Sequence, residues 1–287
     1  MASMRDIKRR RGSIQSTQQI TKAMKLVSTV KLQRARADAE RSGTYFQYMY
    51  NTVNRILARA GSLRHKYLQP GISAKKAVIA ITSNRGLAGG YNSNIVKLIT
   101  RHEGWNKEDI QIYAIGNKGK DAFTRYGYEI KCDLPEVIDA PGYRDAMELS
   151  DALLKSFADG EIGEIYLAYT AFKNTVTQVP TLLKLLPVER EEGEALSEDE
   201  ARTPMNFEPE DEEALDMIIP KYISSLIYGG LIEAVASENG ARMQAMDNAT
   251  SNAEEMINDL TLKYNRARQS SITQELTEII AGAEAIS

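Results

Sequence analysis

The sequence predicts an α/β domain lying between two long helices that pair as an antiparallel coiled coil. The 287-residue chain has no proline in residues 1–69 or 221–281, and glycine is sparse in both segments. Proline and glycine are the residues that helix interiors tolerate least, so both ends of the chain are expected to be helical. Between them, short apolar runs alternate with helical patterns, which is typical of an α/β domain with a largely parallel sheet.

The C-terminal segment carries the coiled-coil signal. Residues 241–281 lack both proline and glycine, and a helix of this length spans roughly 60 Å at about 1.5 Å per residue. Small or apolar residues recur at alternating intervals of three and four, as in a coiled-coil seam. They are Met243, Met246, Thr250, Ala253, Ile257, Leu260, Tyr264, Ala267 and Ser271. After Ser271 the apolar set shifts by one position, to Ile272, Leu276, Ile279 and Ala283. Because the seam is thin, this helix requires a partner.

The N-terminal segment supplies that partner. Residues 1 to about 60 are predicted as one helix with a sparse apolar stripe, formed by Ile7, Ile14, Ile20, Met24, Val27 and Val30. The simplest pairing is antiparallel. The expected division is a coiled-coil helix over 1–69, an α/β domain over 70–210 and a second coiled-coil helix over 211–287. That last helix is expected to begin near Glu212 and to be interrupted or kinked at Pro220.

The middle of the chain is read as a sheet with covering helices. Strands are predicted at 77–82, 110–115 and 164–170, and helices at 94–102, 117–126 and 143–157. Two further strands, 175–179 and 181–188, are placed near an edge because proline removes a ladder hydrogen bond.

Charge is segregated along the chain, although the net charge is only −3. The first 41 residues hold eleven Lys and Arg against three acidic residues, a balance of +8. Such a helix can meet nucleic acid, lipid headgroups or acidic protein, or it can simply be solvated. Residues 1–44 contain no aromatic side chain for base stacking, which counts against single-stranded nucleic acid. Residues 189–213 carry twelve acidic residues and are read as an acidic surface loop.

No residues of the chain suggest an active site, a metal site or a cofactor. Cys132 is the only cysteine, and the two histidines, His65 and His102, stand far apart without a neighbouring ligand cluster. The turn at 85–90 (RGLAGG) follows a strand and precedes a helix, where a phosphate could bind, but it lacks both the GxGxxG pattern and the Walker ending. It is read mainly as a tight turn that needs glycine. No membrane span or signal peptide is expected.

Three stretches at the two ends resemble the gamma subunit of the F-type ATP synthase. They are TQQITKAMKLV (17–27), IYGGLIEAVASENGARMQAMDNATSNA (227–253) and NRARQSSITQELTEIIAGAEA (265–285). The resemblance implies a coiled-coil shaft beside a Rossmann-like α/β domain. It further implies a central-stalk rotor that couples ion flow to ATP synthesis and hydrolysis, takes part in regulating ATPase activity, and has no catalytic site of its own.

The resemblance also implies partners. They are a ring of three alpha and three beta subunits around the shaft, with the epsilon subunit and the membrane ring of c subunits at its foot. No nucleic acid is expected, and membrane association would arise only through the complex, at the cytoplasmic face of a bacterial membrane.

The resemblance also implies functional roles for the residues of this chain that stand at matching positions of the motifs. Coupling or beta-subunit contact is expected at Lys22, Ala23, Met24, Val27, Arg242, Arg268, Gln269, Thr273 and Glu275. Contact with the c ring or epsilon is expected at Phe207, Glu208 and Pro209. Two other hypotheses stay open on the residues alone: a nucleotide-binding α/β enzyme with helical arms, and a basic coiled-coil scaffold for nucleic acid.

Overall fold

The computed structural model describes residues 4–59, 65–188 and 211–284. Contacts divide the chain into two compact units, one of Met1–Ser28 with Arg242–Ser287 and the other of Thr29–Ala241. Two long helices contribute to both units. The elements in chain order are α1 (Met4–Arg59), β1 (Lys76–Ile81), α2 (Tyr91–Thr100), β2 (Ile110–Ile115), α3 (Asn117–Tyr126), β3 (Glu129–Asp133), α4 (Tyr143–Ala158), β4 (Glu164–Phe172), β5 (Gln178–Leu186) and α5 (Asp211–Glu284).

The larger unit is built on one five-stranded sheet with the strand order β3-β2-β1-β4-β5. Strands β1 to β4 are mutually parallel, and β5 returns antiparallel to β4 at the edge. The central strand β1 is almost wholly apolar because both of its faces are covered. Its register against β2 pairs Val78 with Ile112, and its register against β4 pairs Val78 with Tyr166.

Successive residues of β1 point into two different cores. Ala77, Ile79 and Ile81 pack on one face with α4 and the part of α5 that belongs to this unit. Val78 and Ala80 pack on the other face with α2 and α3. The period-two alternation of a strand therefore separates the sheet into a face covered by α4 and α5 and a face covered by α2 and α3.

Helix α5 lies close against β4 because Gly230 has no side chain. A Cβ at this position would come within 2.8 Å of Leu167 Cδ2 and 3.5 Å of Tyr169 Cγ. Nearby, the hydroxyl of Ser237 donates to the carbonyl of Thr170 at 2.8 Å, and the amide of Phe172 donates to the Glu233 carboxylate at 3.3 Å. These contacts fasten α5 to the strand along its length.

The predicted fold class is confirmed, and three local predictions need correction. The two edge strands expected at 175–179 and 181–188 are a single strand, β5, because Asn174 accepts the amides of Val176 and Thr177 and turns the chain there. An edge strand tolerates Pro180 because part of its backbone has no partner strand. Strand β3 was not predicted, since its half-buried residues show no continuous apolar run.

Pro220 does not interrupt α5, which is continuous from Asp211 to Glu284. The acidic stretch 189–213 falls mostly outside the described residues.

One stretch of α5, Leu215–Ala283, is long enough to cross a membrane and contains a window with a mean hydropathy of 1.2. In this fold 56% of that window is buried inside the protein. Burial of this kind is what the core helix of a folded domain shows, and the window lies where α5 packs on the sheet.

Candidate functional site

In the smaller unit, α1 and α5 run antiparallel. Thr21 Oγ1 lies 2.8 Å from Thr250 Oγ1, and Lys25 Nζ lies 2.6 Å from Asp247 Oδ1. Further along, the guanidinium of Arg11 sits over the ring of Tyr264, 5.6 Å from its centroid. Residue numbers rise along α1 as they fall along α5, so the predicted antiparallel pairing is confirmed.

The seam predicted for α5 is also confirmed. Met246, Ala253 and Leu260 are buried, and the intervening members of the three–four series are half-buried. None of the nine predicted positions from Met243 to Ser271 is exposed. The heptad spacing of small and apolar residues was therefore a reliable guide to the face of this helix that meets its partner.

The apolar stripe predicted for α1 is only partly right. Ile7, Ile14 and Met24 are half-buried, but Ile20, Val27 and Val30 are exposed by 60%, 58% and 48%. Eight positions of this unit are protected at heptad spacing: Met4, Ile7, Arg11, Ile14, Gln18, Thr21, Lys25 and Ser28. Five of these eight, Arg11, Gln18, Thr21, Lys25 and Ser28, are polar.

A two-helix seam shelters only two positions in seven, so a residue one step away, such as Ile20 beside Thr21, points outward. Hydrophobicity alone missed Thr21 and Ser28. A search for heptad spacing among small polar residues would have found them.

Helix α5 continues beyond its pairing with α1. The predicted shift after Ser271 leads to apolar residues that lie on the outside: Ile272 is 49% exposed, Leu276 55%, Ile279 67% and Ile280 63%. Exposed apolar residues at i, i+4, i+7 and i+8 form a stripe along one side of a helix. Because contiguous apolar stripes mark interaction surfaces, this end of α5 is a candidate contact with another protein.

The motif-derived residues fall into two groups within this unit. On α1, Lys22 and Ala23 are exposed, Met24 is half-buried and Val27 is exposed. On the far part of α5, four residues are exposed: Arg268, Gln269, Thr273 and Glu275.

The cross-helix contacts place the α1 group opposite residues 247–250. The α5 group lies about 18 residues further on, which is roughly 27 Å along the helix. The two groups therefore lie in separate regions of this unit's surface. Arg242 is half-buried on α5, and Phe207, Glu208 and Pro209 lie outside the described residues.

The turn between β1 and α2 satisfies its own polar groups. Asn92 Oδ1 accepts from the amide and the hydroxyl of Ser83, at 2.9 and 3.0 Å, and that hydroxyl also lies 2.6 Å from the carbonyl of Arg85. Gly89 adopts φ +56, a left-handed conformation that glycine enters without strain. The interpretation as a glycine-dependent turn therefore fits the geometry.

The position where such sheets usually bind nucleotides is taken by the protein itself. Strand order reverses at β1 and β4, and ligands of open α/β sheets bind in the crevice at the carboxyl ends of such strands. Here α5 packs along β4, and the hydroxyl of Tyr91, the first residue of α2, donates to the carbonyl of Ala234 at 3.2 Å. This packing counts against the nucleotide-enzyme hypothesis.

The surroundings of His65 show what holds this buried side chain in place. In the described ranges no group of three or more His, Cys, Asp or Glu side chains could hold a metal ion. His65 is buried, its Nε2 lies 3.1 Å from Asp216 Oδ1, and its Nδ1 accepts from the amide of Tyr67. The Lys66 ammonium beside Asp216 lowers the pKa of that carboxyl. This small polar cluster, which the sequence did not reveal, is structural.

Comparisons with known proteins agree with one another. A family model described as ATP synthase matches residues 3–286. The ATP synthase gamma chain of Lachnoclostridium phytofermentans is 65% identical over 292 residues, covering 100% of each chain.

Among solved structures, a chain of the Euglena gracilis mitochondrial ATP synthase (OSCP/F1/c-ring) has a TM-score of 0.71 at 18% identity, covering 99% of this chain and 94% of the other. A chain of the Tetrahymena thermophila mitochondrial ATP synthase central stalk and c-ring has a TM-score of 0.59 at 24% identity, covering 80% and 99%.

Proposed function

The chain belongs to the family of ATP synthase gamma chains, and we propose that it works as an axle that carries force and performs no chemistry. In this proposal it is the central-stalk rotor that couples ion flow through the c ring to ATP synthesis or hydrolysis on the beta subunits. The observation that carries the proposal is the antiparallel pairing of α1 with α5, made through a thin seam that leaves apolar residues on the outside.

A seam of this kind suits rotation inside a ring of subunits. Two paired helices have no three-fold symmetry, so they present a different face to each of three identical neighbours. Whichever neighbour meets the apolar side is stabilised in one conformation over another, because a ligand shifts an equilibrium only by its differential affinity for the two states. Turning the axle therefore changes which neighbour holds which conformation. The coupling is reciprocal, so a change of conformation in the ring also favours a new orientation of the axle.

The exposed groups on α1 form the first proposed contact region. Lys22, Ala23 and Val27 face outward, with Met24 half-buried beside them, and we assign them to beta-subunit contact. The basic balance of α1 fits an acidic partner, because attraction between charges is long-ranged and does not demand one fixed register. Charge attraction therefore tolerates a surface that turns.

The far part of α5 forms the second proposed region. Arg268, Gln269, Thr273 and Glu275 are exposed there, next to the apolar stripe from Ile272 to Ile280. A helix end that combines an apolar stripe with charged neighbours fits a close collar of alpha and beta subunits. We assign Arg242 to the same coupling role.

The foot of the axle and its location follow from family membership. We propose that Phe207, Glu208 and Pro209, which lie outside the described residues, approach the c ring and the epsilon subunit. The chain would then be held at the cytoplasmic face of a bacterial membrane, as a peripheral part of the complex. Washing membrane vesicles should release it together with the alpha and beta subunits, and release of the chain alone would contradict this placement.

The absence of a catalytic site in the chain is tested by reconstitution. The purified chain is expected to hydrolyse no ATP alone and to restore coupled turnover when mixed with alpha, beta and the remaining subunits. ATP hydrolysis by the isolated chain that persists through further purification would overturn this part of the proposal.

Rotation is tested by tethering. Cys132, the single native cysteine, is first replaced by serine. A new cysteine at Leu276 is then oxidised to a cysteine in a beta subunit. Turnover should stop when the disulfide forms and return on reduction. The control, Lys155→Cys on α4, should form no such bond and keep its turnover under oxidation. Full turnover in a completely cross-linked complex would refute the rotor mechanism.

A further inference from the structure

A concave groove opens on the sheet face opposite the one that packs on α5. It lies between α2 and α3 and has a volume of about 490 Å³. This volume is within the usual range for small-molecule sites, which are concave, whereas contacts between proteins are broader and flatter. The groove belongs wholly to the larger unit, and the function proposed above makes no use of it.

The lining of the groove carries only positive charge. Lys97, Arg101, Lys118 and Arg125 all line it, and no carboxylate does. All four side chains are exposed, and none of them forms an ion pair with a residue of the described ranges. By contrast, Lys120 on the same helix α3 pairs with Asp133 on β3.

Four unpaired cations around one concavity repel one another. An anion seated among them offsets part of this repulsion, and a multiply charged anion offsets more of it. The two guanidinium groups, Arg101 and Arg125, can each donate two parallel hydrogen bonds to phosphate oxygens, which favours a phosphoryl group over a simple halide.

The remaining lining residues suit the organic part of a ligand. Val96 and Ala122 form an apolar wall, and the Tyr126 side chain, 59% exposed, adds a flat ring at one end. Asn92 and Ser93, in the first turn of α2, also line the groove, while their side chains hydrogen-bond to Ser83 and to the carbonyl of Gly90. The groove thus combines cations with an apolar surface and a ring.

We propose that the groove between α2 and α3 binds a small soluble anion bearing a phosphate chain, such as a polyphosphate or a nucleoside polyphosphate. The carrying observation is that four cations line one concavity that no carboxylate lines, and that none of the four pairs with a residue of the described ranges.

The test is calorimetry on the purified full chain with inorganic tripolyphosphate and, separately, with ATP without magnesium. Binding at millimolar concentration or below is expected at low salt, and it should weaken as salt screens the charges. Arg101→Gln combined with Lys118→Gln should weaken binding by about a hundredfold or more, because each substitution removes a charge-assisted hydrogen bond worth roughly tenfold in affinity. If that double variant fails to fold, Lys97→Gln with Arg125→Gln takes its place.

The matched control is Arg144→Gln with Lys155→Gln, which removes two charges from α4 on the opposite face of the sheet. It should bind like the unmodified chain. Equal weakening in the control would mean that the anion senses only net charge, and the proposal would fail. It would also fail if tripolyphosphate gave no binding, or if polyglutamate bound the same four side chains more tightly than tripolyphosphate. Tighter binding of ATP than of tripolyphosphate would support contact with the apolar wall.

Discussion

Substituting Gly230 separates the effect of close packing from the effect of helix propensity. In α5 the neighbouring glycines differ in one respect. A Cβ at Gly229 would meet nothing within 4 Å, whereas a Cβ at Gly230 would lie 2.8 Å from Leu167 Cδ2. Leu167 is fully buried in β4, so it has little room to move aside. Both positions are helical, so alanine gains the same propensity at each.

The magnitudes follow from these two contributions. Replacing an interior helical glycine by alanine stabilises by about 0.8–1 kcal/mol. Overpacking a filled core costs about 1–3 kcal/mol. Gly229→Ala should therefore raise the free energy of unfolding by nearly 1 kcal/mol. Gly230→Ala should range from neutral to about 2 kcal/mol less stable. The contrast between the two variants, about 1–3 kcal/mol, measures the contact alone.

Thermal unfolding followed by circular dichroism is the assay. For a domain of this size each kcal/mol shifts the midpoint by roughly 2–4 °C. The melting temperature of Gly229→Ala should rise, and that of Gly230→Ala should lie several degrees below it. Equal upward shifts in both variants would refute the claim that α5 and β4 are held together at a glycine-dependent distance.

Three further predictions concern the seam, a half-buried carboxyl and the exposed end of α5. Leu260→Ala should weaken the seam by about 2 kcal/mol and speed hydrogen exchange of the surrounding amides about thirtyfold. The control Leu262→Ala changes a side chain that is 61% exposed and should leave exchange unchanged. Equal effects of the two substitutions would contradict the seam assignment. Burial raises the pKa of Glu233, so this carboxyl binds a proton more tightly in the folded state than in the unfolded chain. The protein therefore loses stability as pH rises from the unfolded-state pKa through the folded-state pKa. The gain in melting temperature of Glu233→Gln over the unmodified chain should therefore be near zero at acidic pH and grow toward neutrality; a gain that is constant with pH would show that ionisation is not its source. Leu276→Ser with Ile279→Ser should change the stability of the isolated chain by less than about 0.5 kcal/mol yet lower coupled turnover in the reconstituted complex, and unchanged turnover would remove the apolar stripe from the proposed contacts.

The sequence was most informative where one periodicity operated without competition. The seam of α5 from Met243 to Ser271 is as its spacing predicts, because a long helix with a single partner has one face to shelter. Strand β2 and helix α3 have the predicted bounds. The apolar run marks the extent of the strand, and a glycine marks the end of the helix. The left-handed Gly127 ends α3, with φ +72.

Prediction failed where burial depended on a neighbour far away in sequence. The exposure of Ile20 and the burial of Thr21 are decided by the register of α1 against α5, which the composition of α1 does not encode. Strand β3 has no strong apolar pattern, and it forms because β2 offers it an edge. The turn at 85–90 is predicted mainly as a glycine-dependent turn, which fits its geometry, but the sequence does not reveal that α5 packs against β4 beside it.

Local chemistry written in the sequence determined which segments of this chain are helices and strands, the heptad face of α5, and the family to which its end motifs belong. Only the tertiary structure decided which apolar residues remain on the outside, that Gly230 brings α5 against the sheet, and that four cations from α2 and α3 line one groove. The physical reason is the separation along the chain of the residues that interact. Helix and strand formation depends on residues within a few positions of one another, whereas burial, close approach and charge clustering depend on what the rest of the fold places alongside.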